Sequence, residues 1–257
     1  MAKPLSNGKV VELSFLGTGD AFANGGRFQS GYILEANNYR ILMEAGPTSL
    51  CAMKKMKVDP ASFDLILISH LHGDHYGGLP FLILEYLYES QPKKLITIAG
   101  PRRLEARTWR LFNTMFPNTR GDLARLRNKL KFVVLEPDDN KRIGPVRVQT
   151  IRTPHMRREA SLALRIVFDS KTVVFSGDSG WSDHLVDFAA GADLFLCECT
   201  YFESAHLDFH MNYPQLQERR ERFDVGRMIL THVGGEVLRR ANEIRIETAS
   251  DGMTVQI

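Results

Sequence analysis

Three imidazoles and a carboxylate fall within six residues in the segment His70-Leu71-His72-Gly73-Asp74-His75. Side chains alternate along a strand, so a strand end here places His70 and His72 on one face, where they can share a metal ion. Asp74 and His75 follow as the chain turns at Gly73 and can point toward a second, adjacent ion. Three more candidates each lie just past an apolar, strand-like run. His155 follows Thr153-Pro154, Asp178 sits in Ser176-Gly177-Asp178, and His232 follows Leu230-Thr231. Loops at the carboxyl ends of strands are where α/β folds build their sites. Five of the eight histidines belong to this pattern. A nitrogen and carboxylate donor set without thiolate suits Zn²⁺, with Mn²⁺ or Fe²⁺ as alternatives.

These residues need a scaffold, and the apolar pattern supplies one. Strands are expected at 10–16, 32–36, 39–44, 63–69, 95–99, 132–135, 146–153, 163–168, 172–176, 194–197, 228–231, 243–248 and 253–257. Asn37-Asn38 marks a hairpin turn between the second and third. Helices are expected at 48–57, 79–90, 102–115, 120–129, 183–190 and 213–223. Early hairpins followed by interleaved strands and helices suggest mixed sheets covered by helices, in a single domain over residues 1–257. Leu82, Ile83, Tyr86 and Leu87 have helical spacing and read as core. Cys197 and Cys199 flank Glu198 at strand spacing and read as packing residues, with Glu198 on the opposite face.

With 44% hydrophobic and 25% charged residues in 257, the chain has ordinary globular composition. No run of eighteen apolar residues is present, so no transmembrane helix and no membrane partner is expected. Residues 1–9 lack the apolar core of a secretory signal. Three cysteines make no complete disulfide framework, which points to a reducing, cytoplasmic setting. The net charge of +3 is too mild to argue for nucleic-acid binding. Between Arg102 and Lys131, however, nine basic residues face two acidic ones, a local balance of +7. This is either a solvated helical face or a landing surface for an anionic substrate. Arg157 and Arg158, close behind His155, could clamp an anion. Gly17-Thr18-Gly19 and Asn24-Gly25-Gly26 read first as tight turns and second as phosphate-approaching backbone.

The order His-x-His-x-Asp-His, a single His, Gly-Asp and a late His resembles the metallo-β-lactamase fold superfamily over nearly the whole chain. The opening Phe15-Leu16-Gly17-Thr18-Gly19-Asp20-Ala21 is also similar, as is Leu42-Met43-Glu44-Ala45-Gly46, where the family often has Asp in place of Glu44. With Glu198-Cys199-Thr200-Tyr201, the resemblance is to the ribonuclease Z-like and cyclic-phosphate phosphodiesterase branch. It implies a four-layer αββα sandwich of two mixed β-sheets. It also implies two metals: His70, His72 and His155 would hold one, Asp74, His75 and His232 the other, and Asp178 would bridge them. A hydroxide bridging the pair would attack phosphorus or a carbonyl carbon. Asp74 would also orient or deprotonate that water.

By the same resemblance, His210 would protonate the leaving oxygen, with Glu198 orienting the ring and raising its pKa. Met211-Asn212 departs from the family's usual small hydroxyl residue, and His206 is a rival for the role. The expected function is a metal-dependent hydrolase of a small or nucleotide-like phosphodiester. The alternatives are a lactonase or thioesterase of the same fold, and a binding module stabilised by metal. A flavin-linked di-iron oxidoreductase usually carries Glu at the place of His72, which disfavours it. A tRNA 3′-processing endoribonuclease is disfavoured because only 22 residues separate His155 from Asp178, too few for the tRNA-binding arm. Nucleic acid is therefore not the favoured partner. A homodimer is the family-level expectation.

Overall fold

The computed structural model describes residues 10–119, 121–126, 128–203 and 208–257. Thirteen strands occur among them. Strands β1 (Glu12–Gly17), β2 (Gly31–Ala36), β3 (Tyr39–Met43), β4 (Leu65–Leu67), β5 (Ile96–Pro101) and β6 (Leu130–Leu135) precede β7 (Asn140–Ile143), β8 (Val146–Arg152), β9 (Leu162–Phe168), β10 (Lys171–Phe175), β11 (Ala192–Glu198), β12 (Val225–Thr231) and β13 (Thr254–Gln256). The helices are α1 (Ser49–Lys55), α2 (Gly73–Tyr76), α3 (Leu79–Tyr88), α4 (Leu104–Met115), α5 (Asp183–Ala189), α6 (Tyr213–Glu218) and α7 (Gly235–Arg239). One sheet has the order β13-β1-β2-β3-β4-β5-β6 and the other β12-β11-β10-β9-β8-β7. Both mix parallel and antiparallel pairs.

Side-chain alternation produces the layers. Leu65 and Leu67 point into the core between the sheets, where they meet Leu164, Phe175 and Leu196. Ile66 and Ile68 point to the outer face and pack with α1, α3 and α4 residues such as Met53, Leu82 and Phe112. In the second sheet Val174, Phe195 and Leu230 face outward against Leu185, Leu216 and Val237 of α5, α6 and α7. A strand covered on both faces needs a continuous apolar run, which is what residues 65–68 provide. The expected αββα sandwich is therefore observed.

Pairing brings the strand ends together. Strand β8 is antiparallel to β9, and β9 to β10, while β10, β11 and β12 run parallel. The carboxyl ends of β8, β10, β11 and β12 thus share one edge. The Ser69 carbonyl, just past β4, accepts a 3.1 Å bond from Leu162 N at the start of β9. That bond fixes the same edge of the first sheet against it. A second link is internal: Tyr32 Oη lies 2.9 Å from Thr231 Oγ1, and burial pushes the phenol up to about 12.

Some expectations are corrected. Residues 243–248 form no strand; a 3-10 turn at Ala241–Glu243 leads into irregular chain that pairs with β12 through an isolated bridge between Leu230 and Thr248. Ile244 and Ile246 are drawn into the outer core, and nothing extends the pairing. The expected helix at 120–129 is a 3-10 turn, Asp122–Leu126, with Leu126 its one buried residue; positions 120 and 127 lie outside the described residues. One buried side chain provides no apolar stripe. Helix α6 stops at Glu218, because the run Glu218 to Arg222 is charged throughout and has no face to bury. Strand β7 escapes the sequence pattern because it is a polar sheet edge, Asn-Lys-Arg-Ile. The Asn37-Asn38 turn is as expected: both residues have positive φ, 53° and 61°, and join β2 to β3. Leu82, Ile83, Tyr86, Leu87, Cys197 and Cys199 are all buried.

The Tyr32–Thr231 bond generates a prediction. Tyr32→Phe leaves the packing volume nearly intact but orphans the Thr231 hydroxyl. It should lower the unfolding free energy by about 1–3 kcal/mol in urea denaturation. An unchanged midpoint would show that the bond does not hold the sheets together.

Candidate metal centre

The sequence-singled residues converge on the shared edge. Ligand atoms of His70, His72, His155 and Asp178 lie within 4.8 Å of one another, as do those of Asp74, His75, Asp178 and His232. Asp178 belongs to both sets. Its Oδ2 stands 3.6 Å from His70 Nε2, 3.6 Å from His155 Nε2 and 3.5 Å from His232 Nε2, and its Oδ1 is 3.2 Å from His75 Nε2. Asp74 Oδ2 is 3.2 Å from both His75 Nε2 and His232 Nε2.

Local structure explains the placement. Strand β4 ends at Leu67, so His70 and His72 sit in the loop beyond it rather than on a strand. They still face each other, with ring centroids 4.8 Å apart. His72 is the extended residue before α2, and the one-turn helix carries Asp74 and His75 to the other half of the site. Asp178 follows Gly177, whose φ of 57° turns the chain sharply; a Cβ there would lie 2.6 Å from the Leu162 carbonyl. His232 itself has φ 51°, an unfavourable left-handed conformation for a non-glycine residue at the end of β12.

Ring orientation is set by partners behind the site. His75 Nδ1 is 3.1 Å from Glu44 Oε2, His70 Nδ1 is 3.0 Å from Ser69 Oγ, and His155 Nδ1 donates to the Phe209 carbonyl at 2.9 Å. His232 Nδ1 is 2.9 Å from Thr200 Oγ1. All four therefore present Nε2 to the centre. His72 presents Nδ1 instead, 2.9 Å from His155 Nε2. Such outer partners orient rings and raise the basicity of metal-ligating imidazoles.

The donor set fits a pair of cations. His70 Nε2, His75 Nε2 and Asp178 Oδ1 are buried without a hydrogen-bond partner, although His75 Nε2 is at ion-pair distance from two carboxylates. An unsatisfied buried polar atom costs about 1–3 kcal/mol, and a cation would satisfy all three. The electrostatics agree. Burial works against charge on His75, but Asp178 and Asp74 hold it well above its ordinary pKa. Burial opposes ionisation of Asp178 too, yet the imidazoles of His232, His75 and His70 hold it well below the usual carboxylate range. Burial keeps His70 and His72 neutral, the state in which a ring nitrogen binds metal.

Beside this centre lies a histidine–carboxylate pair. Glu198 is fully buried at the end of β11, and its Oε1 is 2.8 Å from His210 Nδ1. The same oxygen accepts from Ser179 N at 2.6 Å, and Oε2 accepts from Thr200 Oγ1 at 2.8 Å. Burial alone would lower the His210 pKa; the charge and hydrogen bond of Glu198 push it up to about 9. The His210 ring stacks on His232 with centroids 5.6 Å apart. Met211 is buried and Asn212 caps α6 by accepting from Gln215 N, so both residues after His210 serve packing and capping. His206 lies outside the described residues. The sequence gives no sign of the roles of Ser69, Thr200 and the Phe209 carbonyl. Thr200 Oγ1 reaches Glu198, His210 and His232 together, a junction visible only in three dimensions. Gly17-Thr18-Gly19, expected as a tight turn, is extended chain instead: Gly17 ends β1 and Gly19 bridges to Gln29 and Val233. Asn24-Gly25-Gly26 is the 3-10 turn expected of it.

Comparison with known proteins agrees with this geometry. The family model described as Anti-Pycsar protein Apyc1 matches residues 11–249. Curated relatives include a ribonuclease Z from Shouchella clausii, 28% identical over 93% of this chain and 92% of its own. They also include the Anti-Pycsar protein Apyc1 of a Paenibacillus species, 28% identical over 69% of this chain and 70% of its own. Among solved structures, the short form of human tRNase Z superposes with a TM-score of 0.75 at 24% identity, over 95% of this chain and 98% of that one.

The support of His75 by Glu44 generates a prediction. Glu44→Ala removes the partner of His75 Nδ1 and the acceptor of Ser69 N, which lies 2.8 Å from Glu44 Oε1. Divalent-metal affinity, measured by competition with a chelating dye, should fall about 10- to 100-fold. An unchanged affinity would mean that Glu44 does not orient the ring.

Proposed function

The chain belongs to the Anti-Pycsar protein Apyc1 family, and from that premise we propose a dinuclear, divalent-metal-dependent phosphodiesterase acting on a small or nucleotide-like phosphodiester. One observation carries the reading: Asp178 is shared by two sets of ligand atoms, with the Glu198–His210 pair directly beside them. In this reading His70, His72 and His155 hold one ion, Asp74, His75 and His232 the other, and Asp178 both. The nitrogen and oxygen donors suit zinc, with manganese or iron as alternatives. Two adjacent divalent ions supply Lewis-acid charge and a water acidic enough to act as nucleophile near neutral pH.

The chain's own residues do the rest. Asp74 accepts the proton of the attacking water or orients it through a carboxylate oxygen. His210, held through Nδ1 by Glu198, keeps its second nitrogen, Nε2, to deliver a proton to the leaving oxygen. The buried Glu198 carboxylate stabilises that imidazolium and fixes its tautomer. A phosphodiester expels a poor alkoxide leaving group, which such a donor would protonate.

Both a ribonuclease Z and a cyclic-nucleotide type of substrate are consistent with the relatives. The stretch between His155 and Asp178 supports the smaller substrate, because β9 and β10 form a hairpin that fills most of it. Cys51, Cys197 and Cys199 are free thiols, which supports a reducing, cytoplasmic location. Among the described residues no helix is long and apolar enough to cross a membrane.

Two outcomes test the proposal. The metal-loaded protein should hydrolyse a chromogenic phosphodiester faster than any of a panel of lactones; the reverse ranking would contradict it. His210→Ala should retain metal and lose about 10²- to 10⁴-fold in turnover of a substrate with a poor leaving group, whereas Asp178→Ala should lose metal and activity together. Full-rate turnover by His210→Ala would remove His210 from the chemistry.

A further inference from the structure

A cavity of about 750 Å³ opens between the start of α4, the end of β6 and the β8–β9 loop. Five arginines line it: Arg102, Arg103 and Arg107 from the α4 side, and Arg152 and Arg158 from the loop side. Against them stand only two carboxylates, Glu136 and Glu159, an excess of three positive charges (5 − 2). Glu136 accepts from Arg102 Nε at 2.9 Å, and Glu159 pairs with Arg103 at 3.5 Å and with Arg107. Among the described residues Arg152 meets no carboxylate; its guanidinium reaches the Met156 and Arg157 carbonyls at 3.4 and 3.2 Å. Arg158 has no side-chain partner among the described residues. The carboxylates restrain three guanidinium groups without neutralising the cavity.

The start of α4 adds to this picture. Arg103 holds φ 76°, a left-handed conformation that favours glycine, so the arginine is kept there at a conformational cost. As the residue capping α4 it also offers no side-chain acceptor to the first-turn N–H groups of a twelve-residue helix. Phosphate oxygens accept bidentate bonds from guanidinium and bonds from helix-terminal N–H groups. A concave, low-dielectric wall strengthens the attraction.

The cavity lies close to the metal centre. Arg158 follows His155 by three residues, so their Cα atoms are at most about 11 Å apart. Arg107 also lines a second hollow of about 350 Å³ with Tyr76, the neighbour of His75. We propose that the cavity is a second phosphate-binding subsite, taking an additional phosphoryl group of a nucleotide substrate whose scissile diester sits at the metal centre. It rests on the phosphodiesterase reading and names the substrate class: phosphodiesters that carry a further phosphate.

The test compares the dinucleotide ApA with its 5′-phosphorylated form, using metal-loaded enzyme. Wild type should prefer the phosphorylated form by at least about tenfold in kcat/KM, as charge-assisted hydrogen bonds allow. In Arg158→Ala, and in Arg152→Ala/Arg158→Ala, the ratio should fall toward one through a rise in KM for the phosphorylated form. An equal preference in wild type and variants, or no preference in wild type, overturns the proposal. Inorganic sulfate should compete with the phosphorylated dinucleotide and leave ApA hydrolysis unchanged. An equal effect on both marks an unlinked effector anion and also overturns it. If wild type hydrolyses neither dinucleotide, the hydrolase reading fails by itself. The subsite is then decided by calorimetry of sulfate with the holoenzyme: binding lost in the double variant upholds it, and absent or unchanged binding refutes it.

Discussion

The Asp178 carboxylate stands within 3.6 Å of four imidazole nitrogens contributed by three different parts of the chain. Burying one carboxylate among neutral rings is costly unless positive charge accompanies it. Protons on His75 and His232 can supply that charge, and both rings are held above their ordinary pKa despite burial. Two divalent cations supply it better, since they also satisfy the orphaned nitrogens of His70 and His75. The fold around the site can be understood as the means of holding this carboxylate still. Gly177 turns the chain into it, Thr153 Oγ1 bonds its carbonyl at 2.8 Å, and the parallel β10–β11–β12 edge brings Glu198 and His232 alongside.

Behind the site, polar links tie the two sheets to each other at the edge that carries the histidine and aspartate cluster. Ser69 bonds across to Leu162, and Tyr32 reaches Thr231, the residue before His232. A shift of one sheet against the other would therefore separate His70 and His75 from Asp178 and His232. Geometry at the centre depends on inter-sheet packing as much as on the side chains that face it.

The ligand pattern was legible in the sequence because metal chemistry restricts residue type and because each candidate follows an apolar run. His70, His72, Asp74, His75, His155, Asp178 and His232 come together at one edge of the fold. The strand at 243–248 was misread because Ile244 and Ile246 alternate as a strand would, yet they are drawn into an outer core rather than a ladder. Strand β7 and helix α7 were missed because one is a polar edge and the other a single turn and a half, each too short to show a period. The orienting groups were hidden for a different reason. Thr200 and the Phe209 carbonyl act through hydrogen bonds to His232 and His155, 32 and 54 positions away, and no local pattern encodes that distance. The basic stretch from Arg102 was visible as charge, but only the fold gathers its first three arginines with Arg152 and Arg158 around one cavity.

Calorimetric titration of zinc into the metal-stripped protein bears most directly on the shared carboxylate. The account predicts two equivalents bound per chain. Saturation at a single equivalent, or no binding at all, would contradict it.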